Sequence, residues 1–492
     1  MTYLSYKEPG IEVILSLTSF IVLLNITRYT LDRLLYCGII GQILIGIIWG
    51  LPVGGTSWLT DGNQETIQAL GYLGLIGLVF EGGLSTDLKQ LRKSAYISVS
   101  VATVGLLMPI ALSFLLLILP FPSSSGIMYP TPLAAFSAGA SLCSTSLGTI
   151  FAILSSANMQ HTRVGVILVG AAMMDDVVGL VMVNIVTTLG NGGVGAWSIA
   201  RPIVASFGLL LVSLTIAAFV LNPIWVYLVK RSQSEAAVNV TTESKSDANR
   251  TALEKFRKIP HLSFLLPTLV LIIFVTIASF IDASVLFAAF LAGCIVNYLW
   301  DVGKHNIEEE PRSHTAHNMY ENYYKSVMDF ILIPFFFASI GFSIPITDMF
   351  KATIVWKGIV YSILMIIAKG LVSAVIYFEY FIRSWHKSNG IRSNRMPSQQ
   401  PESSTAETTH PPHVEALLVG FAMVARGEIG FLIASLSQSS GTLLLKNRQN
   451  TAIASGEAGF LVIVWAVVIC TFAGPVAVGI LVRHLRNQAV NL

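Results

Sequence analysis

The sequence predicts an all-α polytopic membrane protein. Hydrophobic residues make up 54% of its 492 residues, charged residues make up only 12%, and the mean hydropathy is +0.70. A soluble chain of ordinary composition carries about 25% charged residues, so this chain is too apolar for one or two soluble domains. The apolar residues also cluster in long runs separated by polar loops, which is the pattern of repeated membrane crossing.

Thirteen of these runs are long enough to cross about 30 Å of hydrocarbon as helices. In chain order they cover residues 11–27, 35–51, 67–84, 95–119, 133–154, 164–189, 202–229, 262–281, 284–300, 325–344, 354–382, 413–438 and 458–482. The first run lacks a preceding basic segment and a small-residue cleavage site, so we expect it to be retained as a span.

The loop charges predict the orientation. If the N-terminus is outside or luminal, most of the 30 Lys and Arg residues fall in cytoplasmic segments, and the C-terminus is then cytoplasmic. Polar loops at 231–261, 301–324 and 384–412 also face the cytoplasm, and their composition predicts flexible segments. The net charge of +3 forms no continuous basic face, so the sequence predicts no nucleic-acid partner.

The thirteen spans divide into two sets of six joined by one linker helix. A single linker helix inverts the second set, so the halves are predicted to be inverted repeats with interrupted helices at matching places. The fifth span of each half combines glycine with polar side chains at mid-membrane depth, at 139–148 and at 425–430. Unwound backbone is tolerated there beside protein or a water-filled cavity. For 139–148 the alternative is an intact helix whose small residues allow close packing.

Two adjacent carboxylates, Asp175 and Asp176, lie in the middle of an apolar run. One carboxylate at the bilayer centre costs on the order of 3 kcal/mol on insertion scales, and the like charge beside it raises the penalty. A pair kept at that cost is expected to have a function. Lys369, near the centre of the eleventh span, is the natural counter-ion.

Arg426 and Glu428 lie near the middle of the twelfth span, where neither side chain easily reaches an interface. Two opposite charges at that depth predict a buried salt-bridge network. Because burial penalises the charged forms of aspartate and lysine, such a site exchanges protons readily. A cation that enters beside Asp175 and Asp176 therefore competes with protons.

The remaining polar residues and motifs give weaker indications of function. Glu81, near the cytoplasmic end of the third span, either tunes ion entry or regulation or lies in hydrated interfacial space. The cysteines have no paired spacing and no accompanying histidines, so neither a disulfide nor a bound metal is predicted beyond a transported cation. The chain has no phosphate loop and no dinucleotide fingerprint, so no cofactor is expected.

Short motifs follow one another in a defined order along the chain. They are Phe80-Glu81-Gly82-Gly83-Leu84, Ser144-Thr145-Ser146, Met174-Asp175-Asp176, Phe335-Phe336-Phe337 with Gly341, Lys369, and Arg426-Gly427-Glu428. The ordered set resembles the monovalent cation/proton antiporter superfamily, in the two-aspartate branch of the sodium/proton exchangers. The resemblance implies crossed discontinuous helices and exchange of a monovalent cation for protons by alternating access. Sodium is favoured over potassium or lithium, and no enzymatic activity is implied.

The resemblance also implies roles for single residues. Asp176 would be the principal cation ligand and proton carrier, and Asp175 would pair with Lys369 when the site is empty. Thr145, with its neighbours in 144–146 and nearby carbonyl oxygens, would complete the cation's oxygen shell. The two aspartates and the membrane lysine resemble the electrogenic branch. Many relatives have an aspartate or proline beside the threonine, whereas this chain has serines.

The same resemblance implies a homodimer in the lipid bilayer, with a mobile core domain that moves against a dimerisation domain. The implied segments are first dimerisation helices at 1–94, core helices at 95–189, a linker helix at 190–230, a cytoplasmic loop at 231–261, second dimerisation helices at 262–344, and core helices at 345–492. The flexible loop 384–412 belongs to the last segment.

Two other classes of protein remain as alternatives. An intramembrane aspartyl protease also needs two membrane carboxylates, but Asp175 and Asp176 lie about 100° apart on one helix and cannot face each other across a scissile bond. A cation channel or a transporter-like sensor would bind a cation without coupled exchange. The aspartate pair, Lys369 and the inverted repeat fit alternating access better.

Overall fold

The fold is described from a computed structural model. The structure describes residues 10–35, 38–50, 59–85, 88–123, 126–146, 162–190, 196–216, 260–304, 316–342, 346–389, 412–446, 453–454 and 456–490, and the single residues 8, 150, 219, 223 and 344. Most of the loops predicted at 231–261 and 384–412, and parts of the spans predicted at 133–154 and 202–229, lie outside the described residues.

The described chain is mostly helical. Its helices are α1 (Ile11–Leu35), α2 (Gly38–Gly50), α3 (Asp61–Leu84), α4 (Leu88–Ser113), α5 (Pro132–Cys143), α6 (Arg163–Gly190), α7 (Ala196–Ile216), α8 (Pro260–Phe280), α9 (Val285–Lys304), α10 (Ala316–Tyr323), α11 (Ile333–Phe342), α12 (Ala352–Gly370), α13 (Ser373–Asn389), α14 (Pro412–Ala422), α15 (Glu428–Ser439) and α16 (Glu457–Val490). Short turns at Phe114–Ile118, Lys325–Val327, Met328–Leu332 and Ile346–Met349 supplement them.

Seven helical segments of the described chain are long and apolar enough to cross a membrane. They are Ile11–Arg33, Asp61–Leu84, Tyr96–Ile118, Val164–Gly190, Lys325–Phe342, Ala352–Ile382 and Glu457–Leu481. Shorter apolar helices of 10–17 residues lie between them. Each predicted run overlaps at least one of these segments, so the chain is an integral multi-pass membrane protein. The number thirteen and the inverted repeat stay predictions.

The chain forms two compact units. The first unit contains residues 1–31, 38–88 and 180–346. The second contains residues 32–37, 89–179 and 347–492. Helix α6 contributes residues to both units, since the division falls between Gly179 and Leu180.

In the first unit, α2 and α11 approach each other closely. A Cβ atom at Gly46 would collide with the backbone of Ala338, so only glycine permits this separation. The Phe20 ring of α1 stacks on Phe335 of α11, with ring centroids 6.1 Å apart. Aromatic burial and one close backbone approach therefore stabilise this part of the unit.

A π-helical turn at Met328–Leu332 precedes α11. Such a turn changes the ordinary helical hydrogen-bond ladder, and side chains of α1 reach its carbonyl groups. The Asn25 Nδ2 atom donates a hydrogen bond to the Phe330 carbonyl at 2.9 Å, and Arg28 Nη1 donates to the Asp329 carbonyl at 2.6 Å. These bonds satisfy backbone acceptors that would otherwise be costly in an apolar setting.

In the second unit, helices α4, α6, α13, α14 and α16 share one apolar core. Its buried residues are Val101, Ala102, Ile150, Val164, Ile167, Leu168, Ala171, Ala172, Val372, Ile376, Ala416, Leu418, Val419, Ala422, Met423 and Val478. Lys369 is the penultimate residue of α12, directly before a turn at Leu371 and Val372. The turn ends α12 beside this core.

A small antiparallel sheet also belongs to the second unit. Its strands β1 (Phe121–Ser123), β2 (Gly126–Pro130), β3 (Leu445–Lys446) and β4 (Ile453–Ala454) pair in that order. In the register between β2 and β3, Tyr129 lies opposite Lys446 and Pro130 opposite Leu445. The prediction of helices alone was therefore incomplete, because strands of two to five residues are too short to show a clear periodic pattern.

One other expectation needs correction. The region 301–324 was predicted as a flexible loop, but α9 continues to Lys304 and α10 occupies Ala316–Tyr323. The Tyr320 ring stacks on Tyr324 at 5.4 Å, so aromatic burial orders a segment whose composition is polar. The interruption predicted at 425–430, within the run 413–438, is present in the structure, because α14 ends at Ala422 and α15 begins at Glu428.

Candidate functional site

Helix α5 ends in the middle of its predicted span. Its N-terminus is capped by Thr131, whose side-chain oxygen accepts a hydrogen bond from the Ala134 amide at 3.1 Å. The helix ends at Cys143, and Ser144 has an extended backbone with φ −69° and ψ 144°. Residues 144–146 thus form a first unwound segment, and each is 2% exposed or less.

A second unwound segment, residues 423–427, separates α14 from α15. The two unwound segments are hydrogen-bonded to each other. The Ser146 amide donates to the Ala425 carbonyl at 3.0 Å, and Arg426 Nη1 donates to the Ser144 carbonyl at 2.9 Å. Backbone groups that leave the helical ladder thus find partners, as buried backbone requires.

A buried ion pair lies beside these segments. The Lys369 Nζ atom is 2.7 Å from Asp175 Oδ2, and both side chains are 0% exposed. Lys369 Nζ also donates to Thr145 Oγ1 at 2.8 Å, and the Thr145 hydroxyl donates to Asp175 Oδ2 at 2.7 Å. The three groups form a closed triangle of polar contacts. Each contact includes the Lys369 ammonium or the Asp175 carboxylate, so all three are charge-assisted.

The second carboxylate oxygen of Asp175 differs from the first. Asp175 Oδ1 is buried and has no hydrogen-bond partner among the described residues. Leaving such an acceptor unsatisfied costs about 1–3 kcal/mol, and more when the group is charged. An oxygen of this kind is suited to accept a cation or a proton.

Arg426 is fully buried in the second unwound segment. Besides its bond to the Ser144 carbonyl, it lies beside the thiol of Cys470. Its Nε and Nη2 atoms have no hydrogen-bond partner of ordinary geometry among the described residues. The guanidinium thus places a second positive charge in the buried region that contains Lys369. It is close enough to Asp175 for the two opposite charges to attract each other.

Asp176 occupies a different position from its neighbour. It lies one residue further along α6, so its side chain projects about 100° away from that of Asp175, and it is partly exposed whereas Asp175 is buried. The structure therefore brings Asp175, Lys369 and Thr145 into direct contact. Asp176 is the more accessible of the two carboxylates.

The other predicted site residues have separate positions. Ser146 contributes its backbone amide to the contact between the unwound segments. Glu428 begins α15, and its side chain lies outside the described residues. Glu81 belongs to α3 in the first unit, where the buried phenol of Tyr320 faces its carboxylate without a hydrogen bond of ordinary geometry. Burial and the nearby carboxylates of Glu81 and Asp329 raise the pKa of the Tyr320 phenol.

Two sets of contacts in the second unit were not predicted from the sequence. The Ser113 and Tyr361 hydroxyls are hydrogen-bonded at 2.7 Å. Lys357, which lies in an apolar run, donates to the Pro120 carbonyl and lies 3.9 Å from the centre of the Phe121 ring. The sequence could have indicated that Lys357 needs a polar partner, because an isolated lysine in an apolar run is costly to leave unpaired. No local pattern indicates the hydroxyl pair.

The fold and this site define a class of protein: an integral multi-pass membrane protein with a buried ion pair beside two unwound segments. Such an arrangement is typical of transporters for small charged substrates. The family model described as sodium/hydrogen exchanger, transmembrane, matches residues 16–242 and 247–484. The chain therefore belongs to the sodium/hydrogen exchanger family, whose members are transporters and not enzymes.

Curated relatives are similar over shorter regions. A high-affinity Na+/H+ antiporter of Synechocystis is 31% identical over 173 residues, which are 35% of this chain and 36% of the relative. A Na+/H+-K+ antiporter of Bacillus cereus is 28% identical over 144 residues, or 29% of this chain and 34% of the relative. A Na+/H+ antiporter of Enterococcus hirae is 26% identical over 146 residues, or 30% and 35%. Each match thus spans about a third of the relative's own length.

Proposed function

We propose that this protein exchanges a monovalent cation for protons across a membrane by alternating access. The observation that carries the proposal is the asymmetry of Asp175. One carboxylate oxygen contacts Lys369 and Thr145, and the other is buried with no partner among the described residues. Family membership and the printed names of the relatives support cation/proton exchange.

Competition at this site couples the two ions. In the empty site the Lys369 ammonium neutralises Asp175, so neither buried charge is isolated. A cation that reaches the open oxygen of Asp175 replaces the ammonium as its counter-charge. Lys369 then loses its proton more readily, because an uncompensated ammonium is costly at that depth. Reprotonation of Lys369 restores the pair and expels the cation.

Asp176 is proposed as the principal cation ligand and second proton carrier. Its partial exposure gives a hydrated cation access that Asp175 lacks. The Thr145 hydroxyl and carbonyl oxygens of the unwound segments would replace water in the cation's shell, since alkali cations prefer oxygen ligands. Ser144 and Ser146 flank the threonine in the same buried segment.

Two proton carriers for one cation make the exchange electrogenic. If Asp176 and Lys369 each release one proton when a cation with a single charge binds, each cycle moves one net charge. Sodium is the proposed cation because the relatives are named for it, and potassium is an alternative because one relative is also named for potassium. Lithium is the third cation to test.

The two compact units suggest how alternating access is built. We propose that the second unit, which contains the ion pair and both unwound segments, is the mobile core domain. The first unit would be the dimerisation domain of a homodimer. Residues 190–230 would form the linker helix between two inverted six-helix halves, which gives thirteen spans in all. The N-terminus would be outside or luminal and the C-terminus cytoplasmic, in agreement with the loop charges.

Three further residues have supporting roles in this proposal. Arg426 holds the Ser144 carbonyl and thereby orients the first unwound segment. Glu428, two residues later, is proposed to offset the positive charge in this region. Glu81 is proposed to tune ion entry or regulation, because it shares its surroundings with Tyr320, Asp329 and Lys325.

The proposal is tested in proteoliposomes loaded with a pH-sensitive dye. Sodium, lithium and potassium are added separately to the wild-type protein and to Asp176→Asn. We expect one of these cations to dissipate the proton gradient in the wild type and to have no effect in the variant. Asp348→Asn, which removes a carboxylate from a surface pair with Lys351, is the matched control and should behave as wild type. Full exchange by Asp176→Asn would refute the assignment, and no response of the wild type to any of the cations would favour a sensor, a channel or another substrate.

A further inference from the structure

Gly105 lies in α4 and faces the ammonium group of Lys369. A Cβ atom built at Gly105 would be 3.2 Å from Lys369 Nζ, 3.3 Å from Met423 Cε and 3.5 Å from Val372 Cγ2. Gly105 is buried, and the helix continues on both sides of it. Because glycine is less favourable than alanine within a helix, its presence at this position needs a reason.

The reason is the restricted position of the ammonium. Non-bonded heavy atoms normally remain about 3.5–4.0 Å apart, so a methyl group at 105 would press on Nζ. A free lysine side chain would simply swing away. Lys369 Nζ, however, has fixed contacts with Asp175 at 2.7 Å and Thr145 at 2.8 Å. Any movement away from residue 105 therefore lengthens or misaligns these contacts.

We propose that Gly105 is a positioning residue, whose missing side chain allows the Lys369 ammonium to reach Asp175 and Thr145. Its consequence for transport rests on the proposed function, because the ion pair of the empty site competes with the entering cation. Gly105 in α4 would therefore influence how strongly Lys369 competes with the cation for Asp175.

Helix packing is the other explanation for a buried glycine. At Gly46 a Cβ atom would meet the backbone of Ala338, so packing explains that glycine. At Gly105 the nearest atoms are instead the ends of three side chains, and the closest of them is the charged nitrogen. The surroundings of Gly105 thus point to Lys369 rather than to a close approach of two backbones.

A stability cycle tests the positioning role without using transport. Gly105→Ala is introduced into the full-length wild type and into Lys369→Ala, and the unfolding midpoint of each purified protein is measured in detergent. We expect Gly105→Ala to lower the midpoint in the wild type and to leave it unchanged or raised in Lys369→Ala, where no ammonium is crowded. Gly479→Ala, at a helical glycine with open space around it, should have the same effect in both backgrounds.

An equal loss in both backgrounds would overturn the proposal in favour of helix packing. If Gly105→Ala does not fold in the wild type, folding in the Lys369→Ala background supports the proposal, and failure in both backgrounds contradicts it. An unchanged midpoint in the wild type, together with unchanged exchange, would also contradict it.

The pH dependence of exchange is a second measurement, and a purely structural role of Gly105 would leave it unchanged. A methyl group at 105 would weaken the contacts of the Lys369 ammonium with Asp175 and Thr145, so the charged form of Lys369 becomes less stable. We therefore expect the pH midpoint of exchange by Gly105→Ala to fall by about half a unit. This shift corresponds to about a threefold change in proton affinity, and the KM for the cation should fall by about the same factor. If the wild type exchanges none of the tested cations, the proposed function fails, whereas the stability cycle still decides the role of Gly105.

Discussion

The Ser146 amide donates a hydrogen bond to the Ala425 carbonyl oxygen at 3.0 Å. This bond joins two chain segments that each interrupt a helix, one after α5 and one before α15. It gives a partner to backbone groups that an intact helix would have paired internally. The contact thus brings together the two segments that contain Thr145 and Arg426.

The voltage dependence of exchange should change when Lys369 is replaced by alanine. The wild type is expected to move one net charge per cycle, and one charge across 100 mV is worth about 2.3 kcal/mol. Lys369→Ala removes one proton carrier, so its residual sodium exchange should be insensitive to an imposed potential. Exchange rates at several diffusion potentials provide the measurement. Lys351→Ala, at an exposed lysine, is the control, and a wild-type voltage response in Lys369→Ala would contradict the expectation.

The Thr145 hydroxyl should contribute to cation affinity. Thr145→Val keeps the shape of the side chain but leaves Lys369 and Asp175 without their shared partner. Losing a buried hydrogen bond costs about 1–3 kcal/mol, so we expect the KM for the cation to rise by roughly tenfold, whereas Thr145→Ser should remain near wild type. Thr103→Val is the matched control, because the Thr103 hydroxyl is exposed and bonds only to the preceding turn. An unchanged KM in Thr145→Val would exclude the hydroxyl as a ligand.

Replacing Arg426 by lysine should destabilise the protein. Lysine keeps the positive charge but lacks the planar group that reaches the Ser144 carbonyl. We expect the free energy of unfolding to fall by about 1–3 kcal/mol, the cost of leaving a buried acceptor unpaired. Chemical unfolding in detergent gives the measurement. Arg201→Lys alters an exposed pair with Asp282 and should change stability by less than about 1 kcal/mol; equal effects of the two substitutions would argue against a buried role for Arg426.

Two glycine substitutions should have opposite effects on stability, because Gly46 lies where α2 and α11 approach closely and Gly208 has open space around it. Gly46→Ala would force the α2 backbone away from Ala338, and overpacking of this kind costs about 1–3 kcal/mol. Gly208 in α7 has open space around it, so Gly208→Ala should stabilise the protein by about 0.5–1 kcal/mol through helix propensity. Thermal unfolding of both variants in one detergent tests the pair. A stabilising effect of Gly46→Ala would show that the helices separate easily.

Local patterns predicted much of the architecture but not its irregular parts. Long apolar runs indicated the helices, because the free energy of burial depends on composition within one segment. The start of α3 at Asp61 lies six residues before the predicted run, since the polar residues of its first turn carry no hydropathy signal. The short sheet was missed for a related reason: Tyr129 and Lys446 are distant in the chain, and their pairing has no local signature.

The sequence by itself determined that this protein is a multi-pass membrane protein and that a few charges, among them Asp175, Asp176 and Lys369, are isolated in apolar runs. Composition and hydropathy are enough for that, because the cost of burying a charge is a property of the residue and its immediate neighbours. Only the tertiary structure decided that Lys369 lies against Asp175, that Thr145 joins the pair, and that Gly105 leaves room for it. These contacts join helices far apart in the chain, and their distances depend on how the helices pack and rotate about their axes.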